Sequence, residues 1–247
     1  MKTRRIQTLP LFLGVVIALI LSTAAPDASA MAQVIPFSDA RMYFEMNSTD
    51  EDLGIQFKLD GEPWTRIIIF TPNRRKLVDI EVKNSTQEVG LTEWFNESAE
   101  PPLEERPLAE WLALFPEGDY GFFGLTVEGD YLVGVATFTH DIPDGPEITS
   151  PVNGSSVDPE DPLVVTWNPV ADPNPPESVI VAYEVIVEKD EEDERLRVFK
   201  VDMLPTDTSV TVPPEFLEAD KDYKVEILAI ETSHNQTITE IAFETDD

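Results

Sequence analysis

From residue 40 onward, apolar and polar residues alternate over short stretches that are broken by turn formers. Ile55, Phe57 and Leu59 alternate with Gln56 and Lys58, which predicts a strand with one buried face, and the Asp60-Gly61 that follows predicts a tight turn. The β-branched stretches 67–70 and 78–82 lie either side of Pro72-Asn73 and read as two more strands. The pattern then changes. Residues 91–95 and 107–115 read as short helices, the second with Pro107 in its first turn and Leu108, Trp111, Leu112 and Phe115 at i, i+3, i+4 and i+7. Such a stripe packs inward and would cap the open end of a sandwich core. Glu117-Gly118-Asp119-Tyr120 recurs as Glu128-Gly129-Asp130-Tyr131. Two copies are too few for a solenoid, so the same turn chemistry is expected twice in one sheet.

A boundary is expected within 140–150. There Asp141-Ile142-Pro143-Asp144-Gly145-Pro146 can continue neither a helix nor a central strand, and its prolines make the connection semi-rigid. Beyond it, Leu163, Val165 and Trp167 line one face of a strand, and Val181, Tyr183, Val185 and Val187 one face of the next. Thr208 to Val212 reads as another strand. Leu217 precedes Tyr223 by six residues, and Val225, Ile227 and Ala229 continue inward at period two.

These residues resemble a fibronectin type III domain over about a hundred positions. The Leu217–Tyr223 spacing resembles the tyrosine corner, and Trp167 and Tyr183 resemble the family's core aromatics. The resemblance implies a phenol that packs inward and donates its hydroxyl to upstream backbone. The expected fold is therefore all-β: two tandem β-sandwiches, an immunoglobulin-like one over 31–145 with a helical insertion at about 91–115, and a fibronectin type III-like one over 146–247. The organisation resembles exported bacterial proteins with a C-terminal type III module. The family's adhesive Arg-Gly-Asp tripeptide is missing, so integrin-style adhesion is not supported. The fold itself points to no single activity.

The N-terminus carries a basic region (Lys2, Arg4, Arg5), an apolar run from Leu9 to Leu21, and Ala28-Ser29-Ala30, the small-x-small pattern of a signal peptidase site. Residues 1–30 are expected to be a cleaved signal peptide, since the apolar run is short of the ~20 residues that span a bilayer. The product would be periplasmic or extracellular, with no membrane insertion after cleavage. Without cysteine it has neither disulfides nor a lipidated N-terminal Cys. The net charge of −31 disfavours nucleic acid and anionic lipid, and suits a basic protein partner or divalent cations.

The chemistry-bearing residues are few. Only His140 and His234 could serve a nucleophile as base, no Gly-x-Ser-x-Gly elbow exists, and no glycine pattern cradles phosphate. Two distant histidines without cysteine leave no zinc set. Calcium asks only for oxygen ligands, and Asp50, Glu51 and Asp52, or the run Asp190, Glu191, Glu192, Asp193 and Glu194, would offer them; no other cofactor is implied. Carboxylate pairs for glycoside hydrolysis cannot be picked out by counting in so acidic a chain. The basic run Arg74-Arg75-Lys76 reads as a solvated turn. Five sequons, at Asn47, Asn84, Asn96, Asn153 and Asn235, mark expected surface turns. The sequence thus points to a non-enzymatic exported binding protein that uses loops or sheet edges. The candidate contacts are His234 and Asn235 in the last loop, and the acidic tip Asp190 to Glu194. The alternative is a carbohydrate-binding or accessory module of an extracellular enzyme system, with Trp64, Trp94 and Trp111 as its aromatic platform.

Overall fold

A computed structural model describes residues 31–170, 179–190 and 197–247. The signal peptide expected at 1–30 and the acidic positions Glu191, Glu192, Asp193 and Glu194 lie outside the described residues. No helix among the described residues is long and apolar enough to cross a membrane.

The first half contains β1 (Val34–Pro36), β2 (Asp39–Asn47), β3 (Asp52–Phe70), β4 (Lys76–Glu81), α1 (Ser85–Val89), β5 (Leu91–Glu97), α2 (Leu108–Leu114), β6 (Gly118–Thr126) and β7 (Tyr131–Phe138). Its organiser is the 19-residue β3, whose first part pairs with β2 and β5 and whose second part pairs with β6 and β4. The turn expected at Asp60-Gly61 does not form. Pro63 favours extended backbone at Glu62, so the chain runs on into the buried Trp64 and the register shifts there as the partners change. One strand thereby serves both layers of an immunoglobulin-like sandwich.

The helical insertion is split. Residues 91–95 belong to β5, where Thr92, Trp94 and Phe95 are strand formers and Leu59 pairs with Trp94; a five-residue stretch has too little intrinsic helix stability to resist that pairing. The second helix forms as expected. In α2, Trp111 is buried with Leu112 and Phe115 packed on the core, while Leu108 stays exposed because two turns cannot turn the whole stripe inward.

The second half contains β8 (Glu147–Ser150), β9 (Ser155–Val157), β10 (Leu163–Asn168), β11 (Ile180–Lys189), β12 (Val198–Met203), β13 (Ser209–Val212), β14 (Asp222–Glu231) and β15 (Gln236–Thr245). A three-stranded sheet, β13-β10-β8, packs on β12-β11-β14-β15 in a fibronectin type III-like sandwich, with β9 lying parallel to the end of β15. Leu163, Val165, Trp167, Tyr183, Val185, Val187, Tyr223, Val225, Ile227 and Ala229 are all buried, as the period-two pattern requires. Val181 is the exception. A register shift between Ile180 and Ala182 reverses the facing, so Ile180 packs on the core and Val181 is exposed. The corner phenol also works in the opposite sense to the expectation: the Glu218 N–H donates to the Tyr223 hydroxyl at 2.8 Å.

The two sandwiches have separate cores, with no buried residue in common among the described residues. They nevertheless share a sheet. The start of β15 lies parallel to the end of β2, pairing Gln236 with Glu45, Thr237 with Met46 and Ile238 with Asn47.

Candidate functional site

The β2–β15 pairing joins the outward faces of both halves into one surface, running β12-β11-β14-β15-β2-β3-β5. The side chains along that surface enclose a concave groove of about 620 Å³. Register lines up the lining residues in cross-strand rows. Ile230 is beside Gln236, Gln236 beside Glu45, and Glu45 beside Gly54. The next row runs Asp202, Glu184, Leu228, Ile238. Apolar Ile186, Leu228, Ile230 and Ile238 form the floor; carboxylates stand on both sides of it.

On the first-half side, Glu45, Glu97 and Glu100 bring carboxylate oxygens within 4.8 Å of one another. Each is placed by a specific local feature. Glu45 is an outward residue of β2, and Glu97 ends β5 opposite Gln56. Glu100 folds back over Gly54, where a Cβ would collide with its Oε1; a side chain at that position would push the carboxyl away. The buried Gln56 donates through Nε2 to Glu45 at 2.6 Å and to Glu97 at 3.3 Å. The Gln236 amide donates to the other Glu45 oxygen.

No ion pair among the described residues reaches this trio, whereas the far side is partly neutralised: Lys200 pairs with Glu184 at 2.7 Å and Lys224 with Glu226 at 2.5 Å. Burial pushes Glu45 up to about 7, aided by the charges of Glu97 and Glu184 and opposed by the Gln236 and Gln56 amides. Burial together with the charges of Glu97, Glu45 and Asp52 pushes Glu100 up to about 7 as well. Tyr43, buried beside Glu45, is held far above the ordinary phenol range. Three oxygen-bearing groups this close could receive a cation, although they supply only part of the six to eight ligands that calcium takes. They could also pass a proton.

The opposite side of the same seam is built differently. Asn235 is fully buried, and its Oδ1 accepts the Phe44 N–H at 2.8 Å while its Nδ2 donates to the Thr139 carbonyl at 3.1 Å, the Thr139 hydroxyl at 3.2 Å and the Asp141 carbonyl at 3.2 Å. Its own N–H goes to the buried Glu231 carboxylate, which also takes Ser233. The Thr237 hydroxyl donates to the Pro143 carbonyl, and Ser48 and Thr239 close over Gly145 so tightly that a Cβ there would collide with the Thr239 hydroxyl. The connection between the halves is thus clamped by both sandwiches, beyond the stiffness its prolines supply.

These placements redraw the expected sites. Asn235 is a buried clamp rather than a surface contact, and its sequon cannot carry a glycan in the fold; a short polar loop looks the same in sequence whether its side chain points out or in. His234 is half-buried at the rim of a second cleft of about 600 Å³, held at positive φ, with burial lowering its pKa. His140 is tied by Nε2 to the Phe115 carbonyl at 2.8 Å, between Phe44 and Phe138. Trp64 is fully buried and Trp111 nearly so, so neither offers a face to a sugar, and the half-buried Trp94 stacks on the core Phe57. Large aromatics were drawn into a core that has few other means of filling its volume. Asp190 is exposed beside β14, and Asp50 lies within, and Asp52 just after, a turn held by the Asn47 side chain. Sequence reasoning missed Glu45, Glu97 and Glu100. The one signal available was the outward parity of Glu45 and Glu97 on their strands, which many other acids here share, and Glu100 lies beyond the end of β5.

No family model matches the chain, and no curated protein sequence matches it. Among solved structures it is similar to the FN1–FN3 domains of chicken CNTN1, at 14% identity and a TM-score of 0.30, covering 86% of this chain and 65% of that one. It is likewise similar to a two fibronectin type III domain segment of chicken tenascin, at 14% identity and a TM-score of 0.30, covering 85% of this chain and 99% of that one. The chain spans about two thirds of the CNTN1 segment. At that TM-score the sandwich assignment rests on this chain's own strand order and its two cores.

Proposed function

We propose that this chain is an exported, non-enzymatic binding protein that holds a protein partner against the concave face shared by its two sandwiches. The observation that carries this reading is the seam itself. A clamped junction keeps seven strands in one surface, and a groove with an apolar floor and charged sides is what a protein segment needs for burial and orientation. Both histidines support the same reading, since one is tied to backbone among aromatics and the other sits beside a serine already committed to Glu231.

The test places a photo-crosslinking residue at Ile238 in the groove and, separately, at Leu125 on a remote face, in cells that make the protein. A protein adduct of the same mass at Ile238 and none at Leu125 is expected. Equal crosslinking at both positions, or none at Ile238, overturns the proposal. Export is checked by sequencing the N-terminus of the mature chain, expected to begin at Met31.

A second reading is favoured by the trio: two carboxyls with pKa values near 7 beside a third could transfer protons in a hydrolase. Release of reducing ends from polysaccharides, abolished by Glu45→Gln, would establish it and remove the non-enzymatic reading.

A further inference from the structure

We infer that the groove receives a basic, extended segment of the partner, with two cationic side chains on either side of an apolar one. This rests on the reading that the concave face binds a protein, and deepens it by naming what is bound.

The inference follows from the layout of the rows. Glu45 and Glu97 stand at one side of the Leu228, Ile230 and Ile238 floor, with the Glu100 carboxyl within 4.8 Å of both; Glu184 and Asp202 stand at the other, and Glu226 lies at the end of the floor on β14. Glu45 and Glu184 are separated by three strand intervals (β2 to β15, β15 to β14, β14 to β11). At about 4.8 Å for each interval, and with Glu184 one row along from the Glu45 row at about 3.3 Å per residue, the two backbone positions are about 16 Å apart, and the Glu184 charge still reaches Glu45 across the groove, so the side chains close part of that span. An extended chain rises about 3.3 Å per residue and presents every second side chain to the same face, so residues i and i+4 span about 13 Å with i+2 midway between them. Cation at i, apolar at i+2 and cation at i+4 therefore matches acid, floor and acid. The two sides differ in readiness: Lys200 and Lys224 already lie on Glu184 and Glu226, while the trio has no cationic partner among the described residues. An arginine is the better fit at the trio, because its fork can reach two carboxylates at once while the Gln56 and Gln236 amides hold Glu45 in place. The groups that face it there are Arg41 and Tyr43 from β2, Gln56 and Lys58 from β3, Glu97 from β5 with Glu100 beyond it, Glu184 from β11, Glu226 from β14 and Gln236 from β15. Since Glu45 and Glu100 hold protons near neutrality, seating a cation among them should expel protons.

The probe is a fluorescein-labelled peptide of about ten residues carrying arginine, threonine, isoleucine, threonine, arginine at its centre. It is titrated against the mature protein and followed by polarisation. Binding is expected at low salt, at least tenfold weaker in 0.5 M salt, and about tenfold weaker for the Glu97→Gln, Glu100→Gln double variant. Gly54→Ala, which displaces Glu100 without removing a charge, should weaken it several-fold. Lys200→Ala, which frees Glu184, should strengthen it several-fold. Glu104→Gln, an exposed acid away from the groove, should leave it unchanged. Melting curves on each variant confirm that the fold is intact, and the opposite signs expected for Lys200→Ala and Gly54→Ala cannot come from unfolding.

Equal binding of a peptide with its two arginines adjacent, or an unchanged affinity in the double variant, overturns the inference. So does self-association through the groove that excludes the peptide. If the peptide does not bind while Ile238 still crosslinks a protein, the basic segment is wrong and the binding reading stands. If both fail, both are wrong.

Discussion

The seam where β2 meets β15 has two sides, and they handle buried polar groups in opposite ways. On one side, Asn235 meets every donor and acceptor it faces and ties both halves to the connecting segment. On the other, Glu45, Glu97 and Glu100 crowd like charges together with amide donors for some of their oxygens and no counter-cation among the described residues. A satisfied polar network raises the rigidity of the fold, whereas crowded acids lower stability near neutral pH and are retained at a cost to the fold. The satisfied side is structural, and the crowded acidic side is the one open to a ligand.

The largest break in that comparison is Asn235→Ala. It strands the Phe44 N–H and two carbonyls, and should cost about 3 kcal/mol, since a buried unsatisfied group costs about 1–3 kcal/mol. Chemical denaturation would read the loss, and small-angle scattering should show the two halves moving independently.

The next effect belongs to the acidic side. The folded pKa of Glu45, about 7, lies above its ordinary 4.5, so its stabilising contribution is present below about pH 4.5 and is lost as pH rises through about 7. Wild type should therefore lose about 2 kcal/mol relative to Glu45→Gln between pH 5 and pH 8, allowing about 1.4 kcal/mol per pKa unit and a discount for its partial exposure. Melting temperatures across that range measure it. The titration of His234 runs the other way, its folded pKa being lowered, but it is common to both proteins and cancels.

Thr139→Val removes a hydroxyl that meets Ser233 at 2.7 Å and Asn235 at 3.2 Å, and should cost about 1 kcal/mol in the same denaturation assay. The smallest stability change is expected from Gly54→Ala, a few tenths of a kcal/mol, because the group in its way is the flexible end of Glu100. Its signature is electrostatic instead: carboxyl carbon shifts followed by NMR should show Glu100 titrating closer to the ordinary glutamate range.

Much of the second half was readable residue by residue. Leu163, Val165, Trp167 and the run from Tyr223 to Ala229 are buried because alternation alone decides which side of a strand faces oil. The same rule failed at Val181, where one register shift reversed the parity, and at residues 91–95, where a short apolar stretch carries no period and pairing with β3 settled its form. Asp60-Gly61 has the composition of a hairpin turn, but a turn also needs the following strand to fold back, and Pro63 kept the chain extended.

The acidic trio was not readable at all. Glu45, Glu97 and Glu100 are separated by up to 55 positions, and nothing local distinguishes them from the rest of the 48 acidic residues in the chain. Local pattern along the chain was enough for the all-β character, the inward faces of most strands and the strongly negative field, because each depends on neighbours within a few residues or on composition alone. Folding in three dimensions settled that β15 would lie along β2, that Asn235 would be sealed inside and that three carboxyls would meet beside Gly54. Those outcomes depend on registers between distant strands, and a register is an agreement between two segments that neither one encodes alone.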